Sequence, residues 1–159
     1  MVGRIYWKII GGLYGQQRKY KYEHWKYGFN LYKQYLKDKS KFSPNVFNKT
    51  PKNLSVFPTI VLKESNNTED SSYTSLNRTE FVNAITDTID IYTKDMIIDG
   101  VKYPSKEIMN ELKYLTFEFF QAWGFTRTQC SEADYLNMEV DRLVIIETCN
   151  LNNWNRKIF

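Results

Sequence analysis

Between Pro104 and Gly124, Ile108, Leu112, Leu115 and Phe119 recur at intervals of four, three and four, which is one face of a helix. Met109, Phe120 and Trp123 widen that stripe, while Lys106, Glu107, Asn110, Lys113 and Gln121 fall mostly outside it. Pro104 suits a first helical turn, where its missing N–H costs nothing, and Gly124 suits a helix stop. Burying five or six such side chains contributes roughly 8–15 kcal/mol gross, at about 1.5–3 kcal/mol each. A helix of this kind needs a flat apolar partner, and the flanking sequence offers one in the form of strands.

Val56–Glu64 reads as a strand, with Ile60 and Leu62 on one face and Val61 on the other. Pro58 near its start implies a strand entry or an edge position. Ser65–Glu80 has no apolar period and reads as a long hairpin loop. Phe81–Thr93 follows as a long strand, Phe81, Ile85, Ile89 and Ile91 facing one way and Val82, Thr86, Thr88, Asp90 and Tyr92 the other. Asp99-Gly100 marks a turn before the main helix. Beyond Gly124, strands are expected over Phe125–Cys130 and Met138–Leu151, joined by a loop. An earlier helix is expected over Tyr27–Lys39, with Phe29, Tyr32 and Leu36 in line. The expectation is an α+β fold: about four mostly antiparallel strands packed by one long and one shorter helix, in the order α-β-β-α-β-β.

Residues 1–26 form a different region, a basic, aromatic arm. Tyr6, Trp7, Tyr14, Tyr20, Tyr22 and Trp25 alternate irregularly with Arg18, Lys19, Lys21, Lys26 and other basic residues. Gly11, Gly12 and Gly15 argue against one continuous helix here. The net charge of +4 conceals an asymmetry, because residues 1–42 carry ten Lys and Arg against only Glu23 and Asp38. Such a front end suggests an anionic partner. Tyr and Trp assisted by Arg are favoured contact residues, so the arm is expected to dock on a neighbouring protein. A stacking platform for single-stranded nucleic acid, using Arg18, Lys19, Lys21 and Lys26, is the alternative.

No run approaches the roughly 18 apolar residues of a membrane span, so no membrane partner is expected. Met1–Gly12 does not read as a signal peptide. Synthesis in a bacterial-type cytosol is expected, with Cys130 and Cys149 as free thiols. A catalytic constellation is hard to find. His24, the one histidine, lies in the basic arm without a second ligand at zinc spacing. Asp87, Asp90, Lys94 and Glu147 are the best acidic cluster, but Asp87 and Asp90 fall on opposite faces of one strand and cannot meet at one ion. Asp87 is expected to be paired or near a strand rim. The expectation is no enzyme, no metal and no cofactor.

Taken in order, Phe57-Pro58-Thr59-Ile60-Val61, a polar loop, Ile89-Asp90-Ile91-Tyr92-Thr93-Lys94, the main helix, Gly124-Phe125-Thr126-Arg127-Thr128 and Asp141-Arg142-Leu143-Val144-Ile145-Ile146 resemble the tail completion, or tail terminator, proteins of long-tailed bacteriophages. The resemblance spans residues 27–159, and residues 1–26 depart from it. It implies a structural virion protein forming a hexameric ring. That ring caps the tail tube, joins it to the head connector or stopper proteins and lets phage DNA pass without specific binding. A head–tail adaptor or head-closure ring of the same neck is the neighbouring alternative. Under this reading Ser65, Asn66, Asn67, Thr68, Tyr73 and Leu76 would make the subunit contact. Glu69 and Asp70 would face the lumen, and the arm would grip an adjoining ring.

Overall fold

The computed structural model describes residues 21–69 and 82–152. It is an α+β fold with two helices and a mainly antiparallel five-stranded sheet. The elements in chain order are α1 (Lys21–Lys39), β1 (Asn45–Phe47), β2 (Thr59–Glu69), β3 (Val82–Thr93), β4 (Met96–Ile98), β5 (Val101–Tyr103), α2 (Ser105–Ala122), β6 (Thr126–Ala133) and β7 (Asp141–Asn152). The sheet order is β1-β2-β3-β7-β6, and only the short β1–β2 pair is parallel. β4 and β5 form a separate hairpin.

The anticipated stripe is the buried face of α2: Ile108, Met109, Leu112, Phe119 and Phe120 lie in the core, and Leu115 packs at its margin. Gly124 ends the helix with φ of 89°, a left-handed value suited to glycine, and the Phe125 N–H donates to the Phe120 carbonyl at 2.9 Å. α1 lies across α2, with Tyr32 and Tyr35 packed on Phe119. Gly28 is required by this approach, since a Cβ there would fall 1.4 Å from the Trp123 ring. The Tyr32 hydroxyl donates to Thr116 Oγ1 at 2.7 Å, and the Thr116 hydroxyl donates to the Leu112 carbonyl at 2.7 Å. Thr116 thus satisfies a buried phenol that would otherwise be costly.

One sheet face packs on both helices through Ile60, Leu62, Ile85, Ile89, Ile91, Leu143 and Ile145. Val61, on the other face as anticipated, joins a small cluster with Tyr92 and Val140. Asp90, also on that face, accepts from Arg142 Nη2 at 2.9 Å and Nε at 3.1 Å, a charge-assisted pair.

Several expectations need correction. The earlier helix starts at Lys21 rather than Tyr27, so the 26/27 boundary falls within α1, and Lys21, Tyr22, Trp25 and Lys26 are helical rather than part of a separate arm. Trp25 stacks on Phe29 with centroids 5.4 Å apart, an i,i+4 helical contact. Ser65, Asn66, Asn67, Thr68 and Glu69 are not loop residues. A bulge at Ser65 interrupts the ladder, which then resumes as Asn66 pairs with Thr86 and continues to Glu69 opposite Asn83. Backbone pairing there overrides the weak strand preference of Asn66, Asn67 and Glu69. Asp99 (φ 50°) and Gly100 (φ 77°) make the turn of the β4–β5 hairpin, whose strands were not anticipated. That hairpin bridges β3 to α2: the Ser105 N–H donates to Asp95 Oδ1 at 2.9 Å, and the Thr93 and Ser105 hydroxyls meet at 2.9 Å. Tyr6, Trp7, Tyr14, Arg18, Lys19 and Tyr20 lie outside the described residues, as do Asp70, Tyr73 and Leu76.

Candidate functional site

Strand register places chemistry together that sequence spacing keeps apart. Glu64 on β2 is opposite Asp87 on β3, Asp87 is opposite Glu147 on β7, and Glu147 is opposite Arg127 on β6. Directly opposed side chains lie with Cβ atoms about 4.5–5.5 Å apart. The row therefore crosses four strands, on the sheet face that meets the helices. Asp87 was expected to be paired or near a rim. Instead it is 2% exposed at mid-strand, and its Oδ1 has no hydrogen-bond partner.

Burial, followed by the neighbouring charges of Glu64 and Glu147, pushes the Asp87 carboxyl up to about 8. Burial also pushes Glu147 up to about 7, although the Arg127 guanidinium opposes it. Cys149, on the same face opposite Ile85, is raised to about 11 by burial and by Asp87. Asp87 therefore holds its proton at neutral pH, and Glu147 is poised near its midpoint. Such a row cannot be fully ionised without large repulsion.

The row ends at an open groove of about 920 Å³ between α2 and β6. Glu147 lies at the groove, with Lys113, Tyr114, Phe117 and Gln121 on the helix side and Thr126–Cys130 on the strand side. The Arg127 guanidinium carbon sits 3.9 Å from the Phe117 ring centroid, and Lys113 Nζ lies 4.8 Å from that of Tyr114. Strand β6 is unusual within the fold: seven of its eight residues are exposed, on both faces, and among the described residues no strand pairs with its outer edge.

The four residues singled out as the best acidic cluster separate. Asp87 and Glu147 adjoin, Asp90 is paired with Arg142 on the opposite face, and Lys94 pairs with Glu139 at 3.4 Å. Glu64 was missed, because only the β2–β3 register reveals it. Among the described residues, no group of three His, Cys, Asp or Glu is arranged to hold a metal ion. No described helix is long and apolar enough to cross a membrane. Cys130 and Cys149 are both free, and each stands opposite an isoleucine rather than the other. Of the sites expected for subunit contact, Ser65 and Asn66 are exposed on β2, where Ser65 Oγ donates to the Thr86 carbonyl at 3.0 Å. No known family model matches the chain, and no curated protein is a relative of it by sequence.

Proposed function

We propose that this chain is a non-catalytic ring subunit of a bacteriophage neck, acting as a tail terminator that caps the tail tube and joins it to the head connector. The observation that supports this reading is the pair of unlike open margins on one sheet. At one side the outer edge of β6 has no described strand beyond it; at the other, β1 covers only Thr59–Val61 of β2, leaving Leu62–Glu69 without a described strand beyond them. Two different margins at opposite sides suit a heterologous contact, in which one copy's patch meets a different patch on the next and the rotation closes a ring. Open strand edges are ready pairing surfaces.

Under this reading the β2–β3 ribbon carries part of the subunit contact through Ser65, Asn66, Asn67 and Thr68. Glu69 faces the lumen, where an acidic lining repels DNA and lets it slide. Native mass measurement of the full chain tests the proposal. A six-fold species is the expected result, and a monomer at every concentration overturns it. A monomer whose DNA binding falls steeply with added salt would point instead to a basic nucleic-acid module.

A further inference from the structure

The groove beside β6 lies between α2 and the last described strand of the sheet. Tyr114 is 56% exposed, and the Arg127 guanidinium lies over the Phe117 ring. On β6 the residues facing the helix side are Arg127, Cys130 and Glu132, opposite Glu147, Ile145 and Leu143. An eight-residue strand whose outer edge has no partner among the described residues, next to a groove that no described residue fills, has the form of a site for strand addition.

The chain itself contains a segment of matching length and pattern. Residues 2–10 read Val-Gly-Arg-Ile-Tyr-Trp-Lys-Ile-Ile, and Gly11-Gly12 follows. Ile5, Trp7 and Ile9 alternate with Arg4, Tyr6 and Lys8, the period-two signature of a strand with one apolar face. Residues 1–20 contain no Asp or Glu, so nothing in them opposes Glu132 or Glu147 with like charge. The segment also has a route. Gly28 of α1 meets Trp123 at the end of α2, just before β6 begins at Thr126, while Trp25 lines a cavity with Asn48, Lys49, Thr50, Lys63 and Glu64 on the β1–β2 side, so the chain before α1 has to cross about 15–20 Å of sheet to reach β6. The ten residues 11–20 can span up to about 33 Å when extended.

We propose that residues 2–10 of this chain add to the outer edge of β6 as a further, antiparallel strand, with Ile5, Trp7 and Ile9 turned into the groove beside α2. The added backbone satisfies the open N–H and C=O groups of β6. The apolar side chains cover Tyr114 and Phe117, and Trp7 gains Lys113 and Arg127 as cationic neighbours. The inference rests on the groove and the sequence pattern, and the donor decides how it bears on the ring. Supplied by a neighbouring copy the strand is itself the subunit contact at β6, and supplied by its own copy it closes that margin, so that a ring contact would have to use another surface.

The native Cys130 provides the test, since it is exposed and faces the groove, whereas Cys149 is buried. Single cysteines are placed at Ile5, Tyr6, Trp7, Lys8 and Ile9 of the full chain, which is then exposed to mild oxidant. A disulfide to Cys130 is expected at one or more of Ile5→Cys, Trp7→Cys and Ile9→Cys, at least tenfold above Tyr6→Cys and Lys8→Cys, and abolished by Cys130→Ser. An adduct within one chain or between chains supports the proposal equally, and its mass identifies the donor copy. Equal or absent cross-linking at all five positions overturns it, as does a Cys130–Cys130 dimer of the unaltered chain, which would mean that β6 pairs with another β6. Amide exchange supplies an independent readout. Outward amides of β6 should exchange at least tenfold more slowly in the full chain than in Trp7→Asp, and equal rates overturn the assignment.

Discussion

On β7, Ile145 is fully buried, while Cys130, its register partner on β6, is open to solvent. One step along the same two strands, Glu147 is 2% exposed and Arg127 is exposed. The centre of the sheet and its β6 margin thus share hydrogen-bonded register and differ in what lies above them. Over β3 and β7 the helices exclude water, so apolar side chains gain their full transfer free energy and carboxylates are shifted toward their protonated forms. At β6 the covering layer ends, and the same sheet face becomes the wall of a groove. Pairing between strands does not by itself create a core; the overlying helix does.

Substitutions at the two places sharpen that contrast. Phe120, fully buried and in edge contact with Tyr32 and Phe125, is the firmest part of the centre. Phe120→Ala should cost about 3–5 kcal/mol in denaturant unfolding, and a loss no larger than that of an exposed residue would break the comparison.

Asp87 gives the next largest effect. In the fold it keeps its proton up to about 8, against an ordinary value of 3.8. Its contribution to stability is therefore full below the unfolded value, declines as pH rises through the window between, and levels off above about 8. Glu147 acts with the same sign up to about 7. Asp87→Asn, whose amide can donate to the flanking carboxylates, should stabilise the protein by about 2–4 kcal/mol at pH 8.5 and by little at pH 4, flattening the pH profile of the unfolding midpoint. An unaltered pH profile would show that the row is not the source.

Gly28→Ala tests the α1–α2 approach. The added methyl would meet the Trp123 ring, and a loss of about 1–3 kcal/mol is expected by thermal or denaturant unfolding. At the margin, Gln129→Ala on exposed β6 should change stability by no more than about 0.5 kcal/mol. A larger loss would mean that the face of β6 turned away from α2 is covered in solution.

Much of the framework was legible because local periodicity reports burial directly. The four-three-four spacing from Ile108 to Phe119 marked α2, and alternation through Ile85, Ile89 and Ile91 marked β3 with its apolar side. Even the placement of Asp87 and Asp90 on opposite faces followed from the period of two. Elements with weak side-chain signals were harder to read. β1 is three residues long and exists through parallel pairing with β2. The polar run from Ser65 to Glu69 carries no strand pattern and is held by its ladder to β3. Residues 21–26 hold no clear apolar stripe, and Trp25 is drawn into α1 by its contact with Phe29. Glu64 carried no signal as a neighbour of Asp87, because separation along the chain says nothing about register across a sheet.

The amino-acid sequence alone determined which segments would bury a face and which face it would be, since side-chain direction repeats with the backbone period. Only the tertiary structure decided which faces met. It aligned Glu64, Asp87 and Glu147 through strand register, and it ended the helical cover between β7 and β6. The physical reason is that register and cover depend on contacts between distant segments, where a shift of one residue would reverse every side chain, and no local pattern encodes that choice.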